Sequence, residues 1–212
     1  MGNSTIPLLL ARHGQTEWSR DGRYQGRSDA PLNAHGEAQA LQLGLHLRGL
    51  DIDAILTSPL RRARETAGQV AGLLGLGAPL VDARLVELDY GAWEGLTQCE
   101  IRLRWPERLR QWKRAPEWAA APGGESLGRM RERMRAFFLD PMWATHCGGR
   151  VLIVSHSGPI RVALLEAAQR PLGIFRRIVV PTASVHGLCL HRHAASFALA
   201  TPSTEQKPCI LQ

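Results

Sequence analysis

Short apolar runs alternate along this 212-residue chain with longer segments in which apolar residues recur at helical spacing. The clearest runs are 6–11, 54–57 and 151–154, and each has the length and apolar character of one buried parallel strand. Parallel strands need a crossover between them, usually a helix, and such helices cover both faces of the sheet. The alternation therefore predicts an α/β fold with three layers, α/β/α, around a mainly parallel central sheet.

Two helix starts can be placed on the sequence. Asn33 is a favourable N-cap for a helix that ends near Leu50. Ser58 followed by Pro59 predicts the N-cap and the first residue of the next helix. Two stripes of apolar residues have helical spacing: Leu60, Ala63, Ala67, Val70 and Leu74, and later Leu127, Met130, Met134 and Phe137. The other predicted elements are a short strand within 79–87, a helix at 159–168 and one or two closing strands within 183–200.

The length and the composition are those of one globular domain, which we expect over residues 1–212. Residues 97–122 contain several prolines and tryptophans, so this segment predicts short helices that form an insertion or lid over the site. Residues 202–212 predict a loose tail. Its Cys209 begins a formal prenylation pattern, but no polybasic stretch precedes it.

The positive charge of the chain is almost entirely arginine. The formal net charge is +7, and Lys113 and Lys207 are the only lysines. Arginine binds phosphate and carboxylate through a planar fork of N–H donors, which favours an anionic small-molecule ligand. The arginines are scattered and do not alternate with the aromatic residues, so the pattern argues against nucleic-acid binding.

Targeting and redox signals are few. No apolar stretch approaches the ~20 residues of a membrane span, and the N-terminus lacks the pattern of a signal peptide. The four cysteines include no Cys-x-x-Cys pair, which argues against a zinc site. We expect a cytoplasmic protein that contacts no membrane. Whether it forms a homodimer is left open by the sequence.

A histidine stands at the carboxyl end of two predicted strands. His13 lies between Arg12 and a glycine after the first strand, and His156 lies between two serines after the strand at 151–154. Ligands of parallel sheets bind outside the carboxyl ends of the strands. If these two strands are neighbours, both imidazole rings meet at one edge of the sheet.

Two further residues point to a phosphate or carboxylate ligand. Arg62 lies in the first turn of the helix predicted after Ser58, where the helix dipole disfavours a cation unless an anion binds there. Glu87 ends a short apolar stretch, and a carboxyl group partly withdrawn from water can donate a proton to a leaving alkoxide. On the sequence alone, Asp89 and Glu94 are alternatives for this role.

Six short blocks occur in order between about residues 6 and 190. They are 12–16 (RHGQT), 25–36 (QGRSDAPLNAHG), 58–67 (SPLRRARETA), 87–95 (ELDYGAWEG), 123–126 (GGES) and 155–158 (SHSG). Together they resemble the histidine phosphatase superfamily, in its phosphoglycerate-mutase-like branch, and within it the small phosphatases. The resemblance implies the phosphoglycerate-mutase-like α/β/α fold and a phosphoryl-transfer reaction.

The resemblance also implies roles for the residues already singled out. His13 would be the nucleophile that takes the phosphoryl group as a phosphohistidine. Arg12, Arg62 and His156 would surround the phosphoryl oxygens, and Glu87 would donate the proton to the leaving oxygen. No metal and no other cofactor is implied, because the arginines supply positive charge to the phosphoryl group.

Four residues are expected to bind the substrate: Ser19, Gln25, Gly26 and Ser157. Ser19 stands where the family commonly has an asparagine that contacts phosphate. Serine is shorter than asparagine, although it too can donate a hydrogen bond. Gln25 is therefore the stronger candidate for a contact with the transferred group.

The sequence predicts a phosphomonoester hydrolase that acts through a phosphohistidine on a small phosphorylated metabolite. A phosphoglycerate mutase primed by bisphosphoglycerate is the alternative. The resemblance would imply a longer insertion with extra basic residues for a mutase, whereas the segment 96–122 is short and lacks that pattern. A second alternative is a non-catalytic protein of the same fold that binds a phosphorylated ligand. The substrate itself cannot be derived from these patterns.

Overall fold

The computed structural model describes residues 4–140, 149–193 and 196–201, so the predicted tail with Cys209 lies outside it. Its strands are β1 (Ser4–Arg12), β2 (Ile52–Thr57), β3 (Leu80–Val81), β4 (Arg150–Ser155), β5 (Val185–His193) and β6 (Ser196–Ala200). They form one sheet in the order β3-β2-β4-β1-β5-β6. The pairs among β1 to β4 are parallel, whereas β5 and β6 pair antiparallel at one edge. The predicted mainly parallel sheet is confirmed.

Helices follow most of the strands. The α-helices are α1 (Glu17–Arg20), α2 (Ala34–Leu47), α3 (Arg61–Leu74), α4 (Gln98–Arg104), α5 (Pro106–Arg114), α6 (Leu127–Leu139) and α7 (Ser157–Ala167). Three short 3-10 helices span Ala83–Leu85, Gly91–Trp93 and Leu172–Arg177. Within the described ranges, no helix is both long enough and apolar enough to cross a membrane.

The sheet separates two apolar cores, because successive side chains of a strand point to opposite faces. Leu9 and Ala11 of β1 pack with buried residues of α2 and α3. Leu8 and Leu10 pack on the other face with buried residues of α6 and α7. Burial of each leucine stabilises the fold by about 1.5–3 kcal/mol, and the α/β/α layering predicted from the sequence is confirmed.

The pairing of β1 with β4 positions the two histidines. Arg12 lies opposite Ser155 at the end of this parallel pair, and the backbone N–H of His13 donates to the Ser155 carbonyl at 3.0 Å. The residue that follows each strand is a histidine, so both histidines lie at the same edge of the sheet. The two strands are neighbours, as the meeting of the two rings requires.

The start of α3 corrects one prediction. The helix begins at Arg61, and its N-cap is Leu60, whose side chain makes no capping bond. Ser58 is therefore not the N-cap; its buried hydroxyl lies 2.8 Å from Nε2 of His156. Ser58 follows β2 directly, and β2 pairs with β4, so the sheet brings this serine to the second histidine.

Other boundaries shift by a few residues. α2 ends at Leu47 rather than near Leu50. α7 begins at Ser157, two residues before the predicted start. The strand expected within 79–87 has only the two residues of β3.

The segment 97–122 forms short helices, as its prolines predict. Pro106 is the first residue of α5, where its missing N–H costs no hydrogen bond. Ile101, Leu109 and Trp112 are buried in the core that contains α6 and α7. The segment is thus joined to the main body by apolar packing, and it reaches the site through Trp112.

Candidate active site

A cleft of about 330 Å³ opens beside the carboxyl ends of β1 and β4. All the predicted site residues except His156 line it: Arg12, His13, Ser19, Gln25, Gly26, Arg62, Glu87 and Ser157. The buried His156 ring lies beside that of His13, and the two ring centroids are 5.0 Å apart. The fold therefore gathers the residues that the sequence singled out into one place.

The imidazole of His13 is neutral and oriented by the backbone. Its Nδ1 lies 2.7 Å from the Gly14 carbonyl. A carbonyl oxygen only accepts hydrogen bonds, so Nδ1 carries the hydrogen and Nε2 keeps its lone pair. Burial, and then the charges of Arg62 and Arg12, hold the pKa of His13 well below 6.5. An unprotonated nitrogen in this position is suited to nucleophilic attack.

The guanidinium of Arg62 is fully buried and held on three sides. Its Nε donates to Nδ1 of His156 at 3.2 Å, and its two Nη atoms donate to the carbonyls of Ser28 (2.8 Å) and Gly26 (2.7 Å). Burial lowers the pKa of Arg62 to about 10, so the group stays charged at pH 7. Within the described ranges no carboxylate pairs with it, which leaves its charge available to an anion in the cleft.

His156 is the second neutral imidazole. Because its Nδ1 accepts from Arg62, its hydrogen is on Nε2, which donates to the Ser58 hydroxyl at 2.8 Å. Burial and the Arg62 charge, followed by His13, Arg12 and Arg133, hold the pKa of His156 well below 6.5. His156 therefore orients the guanidinium of Arg62 rather than adding a charge of its own.

The loop that holds Arg62 is itself held by Glu94. The Glu94 carboxylate accepts from the backbone N–H groups of Arg27 (2.7 Å) and Ser28 (2.8 Å). Gly26 has a φ of +50°, and a Cβ at this position would lie 1.8 Å from the Glu94 Oε1. Glycine is favoured there by the positive φ, and a Cβ would force the Glu94 carboxylate to move.

Arg12 supplies the second guanidinium at the strand end. Its Nη1 donates to the Val180 carbonyl at 2.7 Å, and its backbone N–H donates to the Ser184 carbonyl at 3.1 Å. Its Nε is buried and has no hydrogen-bond partner. Burial lowers the pKa of Arg12, and its side chain presents an unused N–H donor within the lining of the cleft.

Glu87 lies at the N-terminus of α7. Its carboxylate accepts from the Ser157 hydroxyl at 3.1 Å, from the Gly158 N–H at 3.0 and 3.1 Å, and from the Leu88 N–H at 2.8 Å. A Cβ on Gly158 would lie 2.0 Å from the Glu87 Oε1. The glycine thus makes room for the carboxyl group, and the helix end fixes its direction.

The other two acids that the sequence offered do not line the cleft. Asp89 accepts from the Gly91 N–H at 2.8 Å and lies 3.6 Å from Arg27. Glu94 holds the loop described above. Of the three acidic residues, Glu87 is the one in the cleft, and its role as proton donor stays a prediction.

Ser19 and Gln25 differ in what they can offer a ligand. The Ser19 hydroxyl donates to the Thr16 carbonyl at 3.0 Å and accepts from the Thr16 N–H at 2.9 Å, in a capping box of α1. Its hydrogen is therefore already used. Gln25 accepts from the Thr16 hydroxyl at 3.1 Å through Oε1, while its Nε2 is buried without a partner. Gln25 is the better donor for a phosphoryl oxygen.

Comparison with known proteins identifies the family. The model of the histidine phosphatase superfamily (branch 1) matches residues 8–201. The chain belongs to this superfamily. A solved mycobacterial glucosyl-3-phosphoglycerate phosphatase in complex with VO3 superimposes on this histidine phosphatase with a TM-score of 0.82 and 29% identity, covering 93% of this chain and 98% of that one.

Relatives of this histidine phosphatase carry both phosphatase and mutase names. Phosphoserine phosphatase 1 of Hydrogenobacter thermophilus is 35% identical over 156 residues, which cover 74% of this chain and 73% of that protein. A probable phosphoglycerate mutase of Klebsiella pneumoniae is 39% identical over 151 residues, 71% of this chain and 69% of that protein. A bifunctional protein of Mycobacterium tuberculosis is 41% identical over 179 residues, which cover 84% of this chain but only 48% of that protein. The chain is thus an enzyme of the phosphatase and phosphoglycerate-mutase-like type.

Sequence reasoning missed several residues of this histidine phosphatase. Ser58 was expected at a helix start, although its place directly after a strand was a signal for the site. Arg161 and Arg176 also line the cleft. A signal for Arg161 was its spacing of four residues from Ser157 on one helix, which places both on the same face. Arg176 carried no such signal.

The charges of the cleft favour an anion. Arg12 and Arg62 are charged, His13 and His156 are neutral, and Glu87 is the single acidic residue among the described residues that line the cleft. Within the described ranges, no group of three or more His, Cys, Asp or Glu side chains could hold a metal ion. The arrangement can bind a phosphoryl group, attack it with a nitrogen lone pair and exchange a proton at a carboxyl group.

Proposed function

We propose that this histidine phosphatase hydrolyses phosphomonoesters of small metabolites through a phosphohistidine at His13. One observation carries the proposal: a buried, neutral imidazole lies beside the guanidinium groups of Arg12 and Arg62 in a cleft that also contains Glu87. Nucleophile, charge stabilisation and proton donor are thereby present together. The phosphatase names of relatives with related sequences support the same conclusion.

In the first step the phosphoryl group is transferred to His13. A phosphomonoester carries about two negative charges, which Arg12 and Arg62 balance, and the free Nε2 of Gln25 donates to a phosphoryl oxygen. The lone pair on Nε2 of His13 attacks phosphorus while the bond to the leaving oxygen breaks. The Glu87 carboxyl group gives a proton to that oxygen, so the product leaves as an alcohol.

In the second step water releases the phosphoryl group. Glu87 is now a carboxylate and accepts a proton as the water oxygen attacks phosphorus. The bond between phosphorus and Nε2 of His13 breaks, and inorganic phosphate leaves. His13 is again neutral, with its Nδ1–H still on the Gly14 carbonyl, and Glu87 is again protonated.

The test is a turnover assay combined with trapping of the intermediate. Wild-type enzyme is mixed with p-nitrophenyl phosphate, quenched in alkali because phosphohistidine is acid-labile, and its peptides are analysed by mass spectrometry. We expect hydrolysis and a phosphoryl group on His13. H13A should lose about 10⁴-fold or more of the activity, whereas H35A, at an exposed histidine outside the cleft, should retain it. Hydrolysis by H13A at the wild-type rate would reject the proposal.

A mutase is the second candidate, because several relatives carry that name. A mutase passes the phosphoryl group from His13 back to a sugar acid instead of to water. The assay for it measures interconversion of 2- and 3-phosphoglycerate in the presence of 2,3-bisphosphoglycerate. We expect hydrolysis to exceed interconversion; strong primed interconversion with negligible phosphate release would assign the mutase reaction instead. A protein that binds phosphoesters without turning them over would show neither.

A further inference from the structure

The cleft contains more arginine than one phosphoryl group requires. Besides Arg12 and Arg62, its lining includes Arg23, Arg161 and Arg176. A phosphoryl dianion balances about two positive charges, and those are supplied at the His13 end. The remaining guanidinium groups therefore need another explanation.

Arg161 lies on the side from which the leaving group extends. It is on α7, four residues after Ser157, so the two share a helix face and are about 6 Å apart along the axis. Ser157 contacts Glu87, and Glu87 protonates the leaving oxygen in the proposed reaction. Arg161 is thus one helical turn beyond the leaving oxygen.

The guanidinium of Arg161 is oriented but not neutralised. It lies over the ring of Phe175, with its central carbon 5.2 Å from the ring centroid, which holds the planar group in one direction. Its Nε is buried without a hydrogen-bond partner. In the part of the chain that the structure describes, Arg161 has no carboxylate partner, so its charge faces the cleft unpaired.

Arg176 resembles Arg161, whereas Arg23 does not. The central carbon of the Arg176 guanidinium lies 5.8 Å from the centroid of the Trp112 ring, and Nη2 donates to a neutral amide, that of Gln98, at 3.2 Å. Arg23 instead lies 3.3 Å from the Glu100 carboxylate. Arg161 and Arg176 therefore remain as two cationic side chains of the lining. Each lies on an aromatic face, and neither has an acidic partner in the described ranges.

We propose that Arg161 and Arg176 form a subsite for a second anionic group, carried by the leaving group of the substrate. The proposal rests on the proposed phosphatase function and narrows its substrate class to small phosphomonoesters with an additional carboxylate or phosphate. The two guanidinium forks bind that anion while Arg12 and Arg62 hold the transferred phosphoryl group. Neutral phosphorylated alcohols lack the second contact and are poorer substrates.

The test compares two esters of the same carbon skeleton. 3-Phosphoglycerate and glycerol 3-phosphate differ by a carboxylate in place of a hydroxymethyl group. Because hydrogen bonds to charged groups are strong, we expect kcat/KM to be about 10- to 100-fold higher for 3-phosphoglycerate. Equal values for the two esters would overturn the subsite while leaving the phosphatase function intact.

Variants assign the preference to residues. R161Q and R176Q should each reduce the kcat/KM ratio of the two esters, towards about 1–3 in the double variant. Effects on the phosphoryl-transfer step cancel in this ratio. R177Q is the matched control, since Arg177 is an exposed neighbour of Arg176 that does not line the cleft, and it should keep the wild-type ratio. A wild-type kcat/KM ratio in the double variant would overturn the assignment of the preference to these two arginines.

Binding measurements separate this proposal from the phosphatase function. In H13A, isothermal titration calorimetry with each ester gives the two Kd values. A Kd ratio that R161Q and R176Q abolish supports the subsite even if the wild type has no turnover. Equal Kd values would reject the subsite even if hydrolysis is rapid.

A second pair of esters identifies the anion. Fructose 1,6-bisphosphate and fructose 6-phosphate differ by one phosphate. If only the glycerate pair shows the arginine-dependent preference, the second anion is a carboxylate; if only the fructose pair shows it, it is a phosphate. Absence of the preference from both pairs would overturn the proposal.

Discussion

The two ends of the cleft are built differently. At the phosphoryl end, which comprises Arg12, His13, Arg62, Glu87 and His156, backbone groups hold almost every functional side chain. His13 is held by the Gly14 carbonyl, Arg62 by two loop carbonyls and Glu87 by the backbone N–H groups of Gly158 and Leu88. Backbone positions are fixed by the whole fold, so this end is rigid and tolerates little change.

At the leaving-group end, which comprises Arg161, Arg176, Trp112 and Phe175, side chains hold side chains. Each arginine lies on an aromatic ring, and Trp112 comes from the segment 97–122 rather than from the sheet. These contacts can be altered without moving a strand. The comparison indicates that the fold fixes the reaction, while a few replaceable side chains select the substrate.

Among the changes that test this comparison, R62K should have the largest effect. Lysine keeps the charge, but its three N–H donors project from a single nitrogen and cannot reproduce the planar fork that reaches Ser28, Gly26 and His156. We expect kcat/KM for p-nitrophenyl phosphate to fall by about 10³-fold, as when a group that stabilises transition-state charge is lost.

The control for this change is R61K, at the adjacent exposed arginine, which pairs with Glu65 at 2.6 Å. It should keep the wild-type kcat/KM. If R62K also kept it, the backbone anchoring of the phosphoryl end would have no catalytic value.

G158A should have the next largest effect. The new Cβ would lie 2.0 Å from the Glu87 Oε1 and would displace the proton donor. We expect kcat to fall by about 10²-fold for an alkyl phosphate, and by less for p-nitrophenyl phosphate, whose leaving group departs without a proton. The matched control is G68A on α3, where a Cβ has open space; it should retain activity and gain about 0.5–1 kcal/mol of stability. Equal losses on both substrates would remove Glu87 from the protonation step.

The pH dependence of stability tests how tightly the phosphoryl end is buried. The pKa values of His13 and His156 lie well below 6.5 in the folded enzyme, chiefly through burial and the charge of Arg62. Below about pH 6.5 the unfolded chain therefore takes up protons that the folded enzyme does not, and stability falls as the pH is lowered. The loss is at most about 1.4 kcal/mol per pH unit for each histidine.

Denaturation with urea between about pH 7.5 and 5.5 measures this slope. H13N removes one titrating group, so its slope should be smaller than that of the wild type by up to about 1.4 kcal/mol per pH unit. Burial also lowers the pKa of His186. His186 contributes equally to the slopes of H13N and the wild type, so its contribution cancels in their difference. An unchanged slope in H13N would mean that water reaches His13 in the folded state.

The sequence was a good guide to the phosphoryl end. Apolar runs that stop at a histidine predict where the sheet edge lies, and the parallel pairing of β1 with β4 then brings His13 and His156 together. Ser58 was misplaced because a serine before a proline also fits a helix N-cap. Its true neighbour, His156, is distant in sequence and is reached only through the pairing of β2 with β4.

The leaving-group end could not be derived in the same way. The spacing of Arg161 from Ser157 indicates a shared helix face, but nothing in the sequence shows which aromatic ring packs beneath Arg161 or Arg176, and their role depends on that ring. Those rings belong to Phe175 and Trp112, and the place of Trp112 is set by packing of α5 into the core. Spacing along a chain carries no record of such contacts.

The smallest effect is expected from W112F, which acts at the leaving-group end alone. Phenylalanine fills most of the space in the core but gives Arg176 a smaller and less electron-rich face than tryptophan. We expect KM for 3-phosphoglycerate to rise by about 2- to 5-fold, with little change in kcat. W118F, at an 82% exposed tryptophan outside the cleft, is the control and should match the wild type. If W112F lowered kcat as R62K does, the two ends would be coupled. The phosphoryl end would then not determine the reaction independently of the residues that select the substrate.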